Sequence, residues 1–180
     1  MSPTSPRNNK SVLALLSGGD RRSIGRSDAV AAMVLAHPAL FRGLIKGMWD
    51  QDAVVRMRAA DAAEKASLQK PKLLRPFKAE LLGLLAETKE QELRWHLAQM
   101  VPRLSLTPAE RAHAASILRT YLDDRSSIVK TFAMQGLADL AVADDKLLPA
   151  TIELLDRLTR SGTPAMRARG RKLLARFVRP

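Results

Sequence analysis

The chain has 180 residues, enough for one domain with a good core and short for two, so one folding unit is expected. It has no cysteine, which excludes a disulfide scaffold, thiolate zinc sites and a cysteine nucleophile. Lysine and arginine number 30 against 18 acidic residues, a net charge of +12 that speaks to partners rather than to fold.

In chain order, MSPTSPRNNK (residues 1–10) has no apolar stretch and reads as a disordered tail. SVLALLS and SDAVAAMVLAHP then form one short, imperfect helical hairpin over residues 11–37, joined by SGGDRRSIGRS. That loop lacks the Gly-Lys-Ser/Thr ending of a P-loop, and no strand precedes it. Its predicted role is structural: a helix C-cap at Gly18 or Gly19, an N-cap at Ser27, and arginines paired with acids such as Asp50 and Asp52. The weaker alternative is an anion site built from Arg21, Arg22 and Arg26. The longest apolar run, AVAAMVLA, is far below the roughly 20 residues of a membrane span, so no membrane insertion is expected.

From Pro38 onward the chain repeats. Four segments align without gaps: VRMRAADAAEKA from Val55, LRWHLAQMVPRL from Leu93, VKTFAMQGLADL from Val129 and MRARGRKLLARF from Met166. Their starts are 38, 36 and 37 residues apart, and eleven residues before each lies a leucine: Leu44, Leu82, Leu118 and Leu155. Aliphatic residues three and four apart predict a helix in each half of the repeat, with polar turns between. Thr163-Pro164 reads as a cap and first helical residue, and Thr107 with Glu110 as a capping box. The predicted repeats span residues 38–75, 76–113, 114–150 and 151–178. At about 100° per residue, the second helix of each repeat is apolar on two sides and leaves one solvent stripe. That stripe holds Arg58, Asp61 and Lys65; His96, Gln99 and Arg103; Phe132, Gln135 and Asp139; and Arg169, Lys172 and Arg176.

The aliphatic-basic pairs Val55-Arg56, Leu93-Arg94, Val129-Lys130 and Met166-Arg167, each after a polar turn, resemble the HEAT-repeat family, in its short bacterial form. The resemblance implies an all-α fold: a right-handed α-solenoid of about four helical hairpins behind a degenerate N-terminal one. It implies a ladder in which an aspartate six residues upstream holds the basic residue, Asp50 for Arg56 and Asp124 for Lys130; Thr88 and Ser161 stand at those places before Arg94 and Arg167. It also implies that the stripe lines a concave surface where partners bind.

Little in the sequence points to catalysis. His37, His96 and His113 lack metal-ligand spacing, and no metal or other cofactor is expected. His96 is expected on the solvent surface. Asp123-Asp124 and Asp144-Asp145 lie in turns and read as caps. Net charge is +3 over residues 1–37, +4 over 38–75, zero over 76–113, −1 over 114–150 and +6 over 151–180, so it gathers at the two ends. The expectation is a non-catalytic, cytoplasmic scaffold holding an acidic protein or a nucleic acid, with no small-molecule substrate. The alternative is an enzyme resembling the HEAT-like DNA glycosylases for alkylated bases, for which Asp61 and Asp139 are the available acids, neither with a tryptophan in register. The phycobilin lyases are a more distant resemblance with no transferable motif.

Overall fold

The structure is a computed structural model that describes residues 12–20 and 22–177; the expected N-terminal tail lies outside them. All regular secondary structure among the described residues is helical, and no helix there is long and apolar enough to cross a membrane. The chain divides into two compact units, Met1–Lys78 and Ala79–Pro180.

In the N-terminal unit, residues 12–16 are helical and are followed by α1 (Ser27–Ala36), a 3-10 turn (Pro38–Leu40), α2 (Phe41–Gly47), α3 (Ala53–Gln69) and a 3-10 segment (Pro71–Phe77). The long helix α3 is the centre, packed against α1, α2 and the 3-10 segment. Its alanines make that possible: Ala59, Ala60, Ala62, Ala63 and Ala66 are fully buried, and small side chains let neighbours approach from several sides. At Gly47 a Cβ would lie 2.6 Å from Leu13 and 2.8 Å from Ala59. Asp52 starts α3 by accepting the Val54 N–H at 2.8 Å. Lys70, just past its end, donates to the Leu35 carbonyl at 2.7 Å and so places a cation at the C-terminus of α1.

The unit boundary falls at the first residue of α4 (Lys78–Glu87). The C-terminal unit continues with α5 (Gln91–Met100), a 3-10 turn (Val101–Arg103), α6 (Pro108–Thr120), a second 3-10 turn (Tyr121–Asp123), α7 (Ser127–Val142), α8 (Leu148–Ser161) and α9 (Pro164–Phe177). Here α7 is central, packed against α5, α6, α8 and α9. Met134, Ala138, Leu155, Met166 and Leu173 form a buried cluster covered by Leu122, Leu158, Leu174 and Phe177. The approach of α7 to α5 has a local cause. Pro102 has no N–H to give the Ala98 carbonyl, and Gly136 packs over that carbonyl, where a Cβ would lie at 2.5 Å. Tyr121 ties the unit internally, donating its buried hydroxyl to the Leu85 carbonyl at 2.5 Å beneath the Arg94 guanidinium, 4.9 Å above its ring.

Each aligned segment begins a helix two residues before its aliphatic-basic pair, at Ala53, Gln91, Ser127 and Pro164. Leu44, Leu118 and Leu155 are fully buried; in α4 the neighbouring Leu81 is fully buried, and Leu82 is only half-buried. The Thr107–Glu110 capping box is formed in both directions. Thr163 accepts from Met166 N–H at 3.3 Å.

Candidate functional site

The basic stripe expected from the sequence behaves differently in each helix that carries it. In α3 the exposure expected for Arg58 and Asp61 is corrected: they are 3% and 8% exposed. The Arg58 guanidinium is enclosed by the loop SGGDRRSIGRS. It donates to the carbonyls of Leu16 at 2.9 Å, Gly18 at 2.6 Å, Asp20 at 3.0 Å and Ser23 at 3.0 Å. The fork of five donors suits a ring of acceptors. Gly18, Gly19 and Gly25, at φ +77°, +78° and +55°, let the loop curl around it. A Cβ on Gly25 would lie 2.7 Å from the Arg58 Cζ.

Three of the loop's carbonyls, those of Gly18, Asp20 and Ser23, thus face a cation. Arg22 and Arg26 are exposed, and Arg21 lies outside the described residues. Two further expectations are corrected. Ser27 lies inside the first turn of α1 with Arg26 at the cap position, and its hydroxyl donates to Asp61 at 2.5 Å. Asp50 and Asp52 accept backbone N–H groups, of Asp52 at 2.9 Å and Val54 at 2.8 Å, because the tight turn before α3 brings those donors to them. Asp61 also meets Lys65 at 2.7 Å, and Lys65 meets Asp28 at 2.5 Å. Burial pushes the Lys65 ammonium down, but hydrogen bonds to Asp28 and Asp61 outweigh it and leave its pKa above the ordinary value.

In α5, His96 is 7% exposed, which corrects the expectation of a solvated side chain. The helix is short and packed against α7, and the imidazole tilts against the Trp95 indole with 5.5 Å between ring centroids. Gln99 donates to its own helix at the Trp95 carbonyl, 3.1 Å away, and Arg103 is half-buried.

Helices α7 and α9 bring their stripe residues together. The Arg169 guanidinium lies 5.4 Å over the Phe132 ring and donates to Gln135 Oε1 at 2.8 Å. Gln135 donates to both Asp139 oxygens, at 2.9 and 3.0 Å, and Arg176 pairs with Asp139 at 2.8 Å. Lys172 stays exposed between them.

The ladder is also rearranged. Asp124 pairs not with Lys130 but with Arg94, at 2.6 Å, because α5 lies alongside α7 and places the guanidinium before the following turn. Arg94 also donates to the Thr88 carbonyl at 3.0 Å. Arg56 donates to the carbonyls of Asp50 at 2.7 Å and Gln51 at 2.9 Å. Arg167 is exposed.

Sequence reasoning passed over Arg171. It is exposed, as are Arg167, Lys172 and Arg176, on the arc of α9 opposite buried Met166, Gly170 and Leu173. The signal was present in PAMRARGRKLLARF, which has five basic residues and no acid.

No protein-family model matches the chain, and no curated protein matches it. Among solved structures it is similar to the crystal structure of an engineered protein, with a TM-score of 0.63 and 16% identity over 93% of this chain and 78% of that one. The likeness is one of fold alone.

Proposed function

We propose that this chain is a non-catalytic scaffold of the HEAT-repeat kind, an α-solenoid of about four helical hairpins, that holds an acidic partner on a basic face and acts in the cytoplasm. The recurrence of four second helices at nearly constant spacing supports the repeat, and the side-by-side packing of α5, α7 and α9 supports stacking of hairpins in the C-terminal unit. The observation that carries the binding reading is α9: five basic side chains, no acid, and an exposed face.

The two acids that base excision could use have other work. Asp61 holds Ser27 and Lys65, and Asp139 holds Gln135 and Arg176. These pairings favour the scaffold over the glycosylase reading.

Arg58 belongs to the interior, so a test of the surface should leave it alone. The protein and its Lys172→Glu/Arg176→Glu variant are compared for partner recovery from native lysate, with and without nuclease. Recovery that falls in the variant is the expected result; recovery that is unchanged rejects the α9 face as the binding surface.

A further inference from the structure

We infer that the exposed arc of α9 docks the phosphate backbone of double-stranded nucleic acid without reading its sequence. This rests on the basic-face reading above and narrows its acidic partner to one class.

Taking Arg167 as origin, Arg171, Lys172 and Arg176 follow at about 40°, 140° and 180° around the helix, and the four span about 14 Å of its axis. All four are exposed. Arg167, Arg171 and Lys172 have no ion-pair partner among the described residues, while Arg176 shares Asp139 and keeps 41% of its side chain exposed. No carboxylate lies on the helix, and the one acid that reaches the arc, Asp139 of α7, is paired with Arg176 at its edge.

The residues between the cations decide the partner class. They are Pro164, Ala165, Ala168 and Ala175, all exposed. Protein interfaces are anchored by aromatic or large apolar side chains entering pockets, and this arc offers none. It also lacks the aromatic platforms that hold unstacked bases, and the Asn and Gln that read adenine edges. What is left is a set of cations on a low, smooth ridge, suited to a charged backbone presenting a phosphate every ~3.4 Å of rise on each strand. Three guanidinium groups match phosphate in a bidentate fashion.

The test uses the full chain and fluorescein-labelled DNA duplexes of two unrelated sequences, followed by anisotropy over a salt series. With about four phosphate contacts, affinity should fall on the order of 100-fold between 50 and 200 mM salt. The two duplexes should bind within about threefold of each other, as backbone contacts carry no sequence information. The Arg167→Ala/Arg171→Ala/Lys172→Ala variant should flatten the log-log salt slope by about 3, with an unchanged circular dichroism spectrum. Duplex binding with an unaltered slope in that variant overturns the assignment to α9. Capture of poly-glutamate in place of duplex overturns the nucleic-acid assignment but leaves the acidic-partner reading standing. Failure to bind either polyanion overturns both.

Discussion

Arg58 and Arg169 occupy the same place in their repeats, three residues after the aliphatic residue that opens the aligned segment. One is sealed within a ring of four backbone carbonyls; the other lies half-exposed across Phe132 with one hydrogen bond to Gln135. The helix phase is shared, so the difference comes from what lies over each side chain. Arg58 is covered by a glycine-rich loop whose backbone can turn its acceptors inward. Arg169 meets the side chains of α7, which fill one side of it and leave the other to solvent. A stripe position in a helical repeat therefore sets a direction, and the neighbouring sequence decides whether a cation there serves the interior or a partner.

The largest effect should come from emptying the ring. Arg58→Met keeps much of the volume but leaves the carbonyls of Leu16 and Gly18 without their donor, at a cost of about 3 kcal/mol. Arg169→Met should cost under about 1 kcal/mol, since it loses one neutral acceptor and one ring contact near water. Urea unfolding of both variants makes the comparison, and equal losses would show that the loop does not depend on Arg58. Gly25→Ala tests the same ring from outside. Its positive φ and the approach to Arg58 predict a loss of about 2 kcal/mol. Gly83→Ala, in α4 with open space at its Cβ, should instead stabilise by up to about 1 kcal/mol.

How far these differences were legible follows from their physical origin. The helix start at Pro164 was readable because capping is local, and Thr107 and Glu110 need only three residues to declare themselves; the other aligned helices begin two residues ahead of their aliphatic-basic pairs, at Ala53, Gln91 and Ser127. Gly18 and Gly19, expected to cap a helix, take the positive φ that glycine permits. The burial of Arg58 was not legible, since every residue carries a carbonyl and the ring depends on how the chain turns. Asp124 was assigned the wrong cation for a related reason. Its partner Arg94 lies 30 residues upstream, and only the packing of α5 beside α7 brings them together. The open arc of α9 was countable in the sequence; the stripe of Arg169, Lys172 and Arg176 leaves out Arg171, which lies between the first two.

Arg94 offers a third member for the comparison, stacked on Tyr121 much as Arg169 is on Phe132, but with the ring buried and its hydroxyl bonded to Leu85. Tyr121→Phe leaves that carbonyl unpaired and should cost about 1–2 kcal/mol. The same hydroxyl gives a pH signature. Burial pushes the Tyr121 pKa up to about 12, against the opposing pull of Arg94. The folded state thus holds its proton more firmly than the unfolded one; this contribution is complete below pH 10 and fades as pH rises toward 12. Denaturant midpoints measured from pH 9 to 12 should show a steeper decline in the protein than in Tyr121→Phe. Parallel declines would mean that other groups govern the alkaline limb.

The smallest effect separates the two kinds of arginine most clearly, because its sign is opposite. Arg167 and Arg171 are four residues apart on an exposed helix face, a like-charge spacing that is mildly unfavourable. Arg171→Glu turns that repulsion into attraction and should stabilise the fold by about 0.3–0.5 kcal/mol at low salt. The gain should vanish by about 1 M salt, where screening acts over roughly 3 Å. Thermal midpoints at the two salt concentrations measure it, and a clear loss of stability would mean that Arg171 has a structural partner after all. A cation whose replacement leaves the fold better off is one the fold does not need. Arg58, whose removal should undo a loop, is the reverse case, and that opposition is the physical ground for looking to α9 for a partner.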